Sequence, residues 1–322
     1  MDALTDSFND LHQAFFEGLV QPVLMALGLG GYLERAYEGS VWLLYGLGQL
    51  LVLLAVVGPL QRWRPVEPVS DTGTVRTDML YTVMHRLGLF KLGMFFLLEP
   101  VLDGLLGRLS LLGWVTPQLD DVWPGVTDQP LVSFVLYLLV FDLVHYGIHR
   151  AQHHFGWWWS LHSLHHAQRQ MTMWSDNRNH ILDDVLTSAL LALCAQLIGL
   201  PPGQFVALVV CTQLCESVQH ANVRLHFGKW GERLWISPRF HRRHHSVGTG
   251  HETWDSRHGR AALGGHNFGV LLPWWDMLFG TADFSPGYAP TGVRDQVEQG
   301  RRYGQGFWSQ QWLGLLRLFN RA

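Results

Sequence analysis

The apolar residues of this chain gather into long runs separated by short polar stretches, the pattern of helices rather than of half-buried strands. Val41 to Leu60 holds twenty residues without a charge, enough to cross a hydrocarbon core of about 30 Å. Gln61, Arg62, Trp63 and Arg64 follow at once, and arginines at that position predict a cytoplasmic exit. Upstream, Leu11 to Leu29 is amphipathic and contains Pro22, which predicts an element lying at the interface. Met79 to Leu106 is apolar but carries His85, Arg86, Lys91 and Glu99. That mixture predicts a helix pair, or a span whose charges face headgroups or a cavity. Leu131 to Leu143 re-enters the membrane and delivers its C-terminal end to a polar, aromatic stretch at 150–180 that cannot sit in lipid. Ile181 to Leu200 and Gln204 to Cys215, joined by Pro201, Pro202 and Gly203, predict a helical hairpin that dips in and returns to the same side. The whole reads as an all-α integral membrane protein with about four to six membrane helices and a cytoplasmic cap. Its expected parts are an N-terminal segment and first span (1–78), a central domain (79–285) and a C-terminal tail (286–322).

The cap region carries the chemistry. His145 and His149 form an HxxxH step, His162, His165 and His166 an HxxHH run, and His241, His244 and His245 a second HxxHH run. Residues three and four apart share a helix face, so each run can aim two or three imidazoles at one point. Eight of the 18 histidines fall in these runs. Burying so many polar rings costs free energy unless each finds a partner, and a metal is a partner common to all. Neutral imidazole suits zinc, copper, iron or nickel. Adjacent histidines cannot both face one point, and eight nitrogens exceed a closed four-ligand zinc site, so two metals fit better than one.

His220 is the best ninth ligand. His180, two residues after Arg178, and Asn267 are candidates for a further ligand or for a group supporting one. Asp142, Asp183, Asp184 and Glu216 are candidates to orient ligating rings. His153 and His154 are set aside as an adjacent pair outside the runs counted above, and His226, His251, His258 and His266 are read as surface groups.

Composition narrows the setting. Charged residues make up 15%, against about 25% in soluble domains, and 15 tryptophans suit membrane interfaces. A net charge of −3 without a basic tract gives no sign of nucleic-acid binding. Cys194, Cys211 and Cys215 lie in apolar runs and read as small buried side chains, not a disulfide framework.

These histidine runs, in this order, resemble the fatty acid hydroxylase superfamily, also called the sterol desaturase family. The resemblance extends to Arg178-x-His180, to Gln219-His220-x-Asn222, to the PRFHRRHH run ending at His245, and to the NFG and WDMLFGT runs, and it covers roughly residues 80–285. It implies an integral-membrane oxygenase with two iron ions held by His145, His149, His162, His165, His166, His220, His241, His244 and His245. Some members have another histidine four residues from the one matched by His220, where this chain holds Glu216 and Arg224. It further implies O2 as co-substrate, an oxidant that hydroxylates or desaturates an unactivated C–H bond of a lipid, and an apolar slot for that lipid. The chain has no flavin, nicotinamide, haem or ferredoxin motif, so electrons are expected from a separate ferredoxin, cytochrome b5-like protein or reductase. The rival expectations are a zinc hydrolase or isomerase using the same cage, zinc also being the metal such a site could hold as purified, and a non-enzymatic metal-binding protein. The N-terminus lacks the basic start of a cleaved signal, and the expected location is a bacterial inner membrane.

Overall fold

Two X–Pro steps shape the N-terminal part of the fold. Helix α1 (Asp2–Phe15) passes through a π turn (Phe16–Val20) into α2 (Gln21–Ala26), and α3 (Leu33–Val52) passes through another (Leu53–Val57) into α4 (Gly58–Trp63). Pro22 and Pro59 lack the N–H that a regular helix would use, and each π turn sits just ahead of its proline, widening the helix past the missing donor. The proline therefore bends neither element to a stop. The computed structural model describes residues 2–249, 252–255, 260–263 and 265–321.

Helix α5 (Thr72–Arg86) begins where Asp71 accepts a hydrogen bond from the Thr74 N–H, and it packs against α3. Gly88, at φ 76°, turns the chain into α6 (Leu89–Leu111). Helix α7 (Pro130–His154) starts on a proline, where a missing N–H costs nothing. The helical stretches Gly30–Trp63 and Pro130–His154 are long and apolar enough to cross a membrane. Leu47, Leu51, Leu54 and Val56 are exposed along the first, an apolar surface suited to lipid.

Phe155, in extended conformation, breaks α7 from α8 (Gly156–His166), which folds back onto it. Helices α9 (Ile181–Leu197) and α10 (Pro202–His220) form the expected hairpin, turned by Gly199 at φ 65°. After it come α11 (Gly228–Gly231), α12 (Pro238–His244), an antiparallel hairpin of β1 (Glu252–Asp255) and β2 (Arg260–Leu263), α13 (Trp274–Leu278), α14 (Arg294–Glu298) and α15 (Phe307–Leu318). The β hairpin departs from the all-α expectation. Strands of four residues offer too few alternations to register as a period-2 pattern.

Apolar clusters fix the helices. Tyr137 and Phe141 of α7 pack with Ala195, Leu200 and Leu208 of the α9–α10 hairpin. Leu53 and Val57 of the second π turn pack with Met173, Trp174, Ala221 and Val223. The C-terminal residues join the same body: α15 packs on α8, and Gln311 accepts from the Ile181 N–H at 2.8 Å.

A buried arginine cross-links four parts of the chain. Arg86 donates to Gln49 of α3, to Gln213 and Ser217 of α10, and to Asp176 in the α8–α9 connection, at 2.8–3.0 Å. The approach of α3 to α5 depends on Gly46, where a β-carbon would fall 1.5 Å from the Arg86 carbonyl oxygen. Gly46→Ala should therefore lower stability by about 1–3 kcal/mol or more. Gly48→Ala, with no atom within 4 Å of the added carbon, should be nearly neutral. Thermal unfolding of both variants in detergent checks this; equal melting temperatures would refute the close α3–α5 contact.

Candidate metal centre

The histidines converge because a corner and a hairpin bring four helix ends together. Phe155 turns α8 back so that His162 and His166 face His149 and His153 of α7, while the end of α10 and all of α12 close the other side. Ser237 caps α12 by accepting from the Phe240 N–H, and Pro238 occupies its first turn, which places His241 and His244 in the second half of a seven-residue helix and His245 just past its end.

Two separate groups result. In the first, His149, His153, His162, His166 and His244 each offer one ring nitrogen, and these lie within 4.8 Å of one another. In the second, the same holds for His165, His220, His241 and His245. All nine rings are buried. The adjacent pairs split as their helical angle requires: His165 and His245 go to one group, His166 and His244 to the other.

The outward nitrogens are already used. His149 donates its Nδ1–H to the Phe268 carbonyl at 2.9 Å, His162 to the Asp183 carboxylate at 2.9 Å, and His244 to the His266 carbonyl at 2.8 Å. Each neutral ring is thereby fixed with its Nε2 lone pair pointing inward, and these Nε2 atoms are buried with no hydrogen-bond partner. In the second group His220 donates Nδ1–H to the Glu216 carbonyl at 2.8 Å. Its Nε2 is therefore a lone pair, yet it sits 3.2 Å from His165 Nε2 and 3.1 Å from His241 Nε2. A metal–nitrogen bond of about 2.1 Å puts neighbouring ligand nitrogens about 3 Å apart. Lone pairs converging at that spacing fit a cation at the centre of each group, and imidazole donors admit iron or zinc.

The supporting shell is built from backbone. Asp276 accepts from the N–H groups of Phe268 and Gly269 at 2.8 and 2.7 Å, and Asp142 from those of Leu271 and Leu272 at 2.9 and 3.1 Å. These carboxylates hold the 266–272 segment so that its carbonyls reach His149 and His244. Asp183 also accepts from Gln152 and Trp158, each at 2.7 Å, which fixes its position against His162. Gln219 donates to the Val270 carbonyl at 2.7 Å, and Asn222 binds the 66–67 backbone.

Several expected residues have other work. His145 lies one turn below His149, outside both groups, and lines a cavity. His180 caps α9, accepting from the Leu182 N–H at Nδ1 and donating from Nε2 to the Gln311 carbonyl, so neither nitrogen is left for a metal. Asn267 spends its amide on Phe240 and Asp283; at φ 60° it turns the two flanking carbonyls, those of His266 and Phe268, toward the cage. Of the expected orienting carboxylates, Asp183 meets a ring directly, Asp142 acts through the 271–272 backbone, and Asp184 pairs with His85 at 3.3 Å. His266 is half-buried rather than a surface group, His226 is exposed, and His251 and His258 lie outside the described residues. His153 was missed, although the step from His149 to His153 is itself HxxxH. The three cysteines are free thiols, as expected.

The cavity holds about 460 Å³ and lies among α6, α7, α9 and α10. His145 and Glu216 line it, each one helical turn before a member of the cage, His149 and His220. Its floor is thus about 6 Å of helix rise from both groups.

Residues 134–281 match the family model for fatty acid hydroxylases. The matched segment includes every ring of both groups. That segment is a fatty acid hydroxylase domain. Over 303 residues it is 25% identical to an ornithine lipid hydroxylase from Rhizobium tropici, covering 89% of this chain and 82% of the relative. It is 30% identical over 150 residues to a Δ7-sterol 5(6)-desaturase from Gibberella zeae, and 26% identical over 156 residues to an alkylglycerol monooxygenase from Caenorhabditis elegans. These two matches cover 47% and 48% of this chain but only 41% and 27% of the relatives, so the chain spans less than half the length of either. No solved structure matches. The relatives are lipid hydroxylases, desaturases and monooxygenases, and this membrane protein is an oxidoreductase as they are.

Two predictions follow from the cage. His153→Ala should reduce the metal retained by the first group, while His145→Ala should leave metal content unchanged; elemental analysis of both purified variants decides, and the reverse ranking would restore His145 as a ligand. The second concerns protons. Burial, reinforced by neighbouring imidazoles, holds His165, His166, His241, His244 and His245 well below the ordinary 6.5. The unfolded chain therefore binds more protons below that value than the folded one, so metal-free stability falls as pH drops through about 6.5 and levels off above about 7.5. Melting temperatures of chelator-treated protein from about pH 5 to about pH 8 test the sign; a flat profile would contradict it.

Proposed function

We propose that this protein is an O2-dependent di-iron membrane oxidoreductase that hydroxylates or desaturates an unactivated C–H position of a lipid, such as a sterol, fatty acyl or related chain. The observation that carries the reading is a pair of buried imidazole groups one helical turn from a largely apolar cavity. The proposed ligands are His149, His153, His162, His166 and His244 for one iron, and His165, His220, His241 and His245 for the other. When bound, the two irons would pass electrons from a separate donor to O2 and so supply the oxidant for the C–H bond. The chain's own residues do the remaining work. Phe268, His266, Asp183 and Glu216 fix the ring tautomers, the apolar wall excludes water, and the α6–α10 cavity presents the lipid.

The proposed organisation keeps an N-terminal segment and first span at 1–78, the di-iron domain at 79–285 and a C-terminal segment at 286–322. Four to six helices are proposed to enter the bilayer, counting α6 and the α9–α10 hairpin beside the two long apolar helices. The cage then lies on the cytoplasmic side, which is supported by Arg62 and Arg64 beyond the first span and by the Arg224 N–H bonding the Arg64 carbonyl at 2.8 Å. The Rhizobium relative supports a bacterial inner membrane. Electrons are proposed to come from a separate ferredoxin, cytochrome b5-like protein or reductase.

The deciding experiment pairs metal analysis of the detergent-purified chain with O2 uptake on adding reductant and a lipid extract. About two irons per chain and lipid-dependent O2 consumption are expected. Zinc in both sites, with no O2 uptake after anaerobic iron reconstitution, would replace this reading with a zinc hydrolase or isomerase.

A further inference from the structure

The cavity is apolar at one end and charged at the other, and the charged end is the one beside the cage. Phe90, Met94 and Leu98 of α6, Leu191 of α9, and Phe205 and Val209 of α10 form the apolar wall. Asp176, Asp184 and Glu216 line the rest, with His85 and His145. Two of these carboxylates are compensated within the protein. Asp176 takes Arg86 at 2.9 Å and Ser217 at 2.6 Å, and Asp184 faces His85 at 3.3 Å. Glu216 has no such partner: among the described residues its side chain makes no hydrogen bond or ion pair, while its backbone carbonyl holds His220. Burial makes a charge costly at this half-buried carboxyl, so Glu216 takes its ionised form only when something entering the cavity brings a positive charge to it.

We infer that the substrate is an amphiphile with a cationic, amine-bearing head group, and that Glu216 binds that ammonium. The apolar tail then runs along α6, α9 and α10, away from the cage. Glu216 sits four residues before His220, on the same face of α10, so the ammonium is held about one helical turn from the second group. The carbon presented for oxidation therefore lies in the head group or the first carbons attached to it, not deep in the tail. A lipid with an anionic head would meet the uncompensated Glu216 there and be disfavoured. The inference rests on the proposed lipid oxygenase only in taking the cavity as the lipid site.

Binding can be read without turnover. Dodecylamine and dodecanol share a twelve-carbon tail, and their stabilisation of the full detergent-purified chain can be followed by thermal unfolding. The amine should act at a concentration about tenfold lower than the alcohol, as expected for a hydrogen bond to a charged group. Glu216→Gln should abolish that preference while leaving the response to dodecanol and the iron content unchanged, and Glu216→Asp should retain part of it. Equal response to both probes in the native chain would overturn the inference, as would an amine preference surviving in E216Q. Loss of iron in E216Q would also overturn it, by assigning the carboxylate to the metal. Should E216Q fail to fold, the native preference and its persistence in E216D decide. Lipid-dependent O2 uptake on the same preparation separates the two readings: uptake with neutral lipids and no amine preference sinks only the head-group assignment. An amine preference without iron or O2 uptake sinks only the oxygenase.

Discussion

Everything in this fold depends on how a buried imidazole is satisfied. A neutral ring has one N–H and one lone pair, and in a dry interior both need partners. Three rings of the first group spend their N–H on Phe268, Asp183 and His266, which leaves each lone pair facing inward. Nothing but a cation, or a proton that burial disfavours, can satisfy several lone pairs at one point. The cage is thus specified by the acceptors behind it as much as by its histidines. Asp276 and Asp142 matter for that reason, since they hold the loop whose carbonyls serve as those acceptors.

The same logic explains why the two groups share two adjacent pairs. Neighbouring residues on a helix point about 100° apart, so His165 and His166 cannot converge, and neither can His244 and His245. Placing α8 and α12 between the two points lets each pair serve both. Helices this short need their ends fixed from outside. Ser237 does this for α12, and the packing of α15 does it for α8.

Much of this was legible in the sequence, and what was not has identifiable causes. The two HxxHH runs and His220 were readable because one helical period brings each run to a face, and all seven of these rings enter the groups. Position along α7 was not readable in the same way. His145, His149 and His153 lie on one face with equal spacing, and periodicity says nothing about which rungs stand level with α8. The corner at Phe155 decides it, and that corner brings the later two into the cage. His180 and Asn267, expected as a further ligand or as a supporting group, bond to backbone groups that meet only in the folded chain. The spans at 41–60 and 131–143 and the α9–α10 hairpin followed from apolar length alone, whereas the two π turns and the short β hairpin carry no periodic signal strong enough to read.

The polarity of the cavity follows from where helices end. Along α7 and α10 the apolar residues come first and the polar ones gather within a turn of the histidines, because a cage that needs carboxylates and carbonyls behind its rings cannot lie deep in hydrocarbon. A cavity running between these helices inherits that gradient, with an apolar end beside Phe205 and Val209 and a charged end beside Glu216. Any ligand filling it is aligned by the hydrophobic effect before a specific contact is made, its tail toward the membrane and its polar end toward the cage. Regioselectivity in such a site is then set by distance along the α10 helix. Moving the anchoring carboxylate by one turn would move the reacting carbon by about 5 Å.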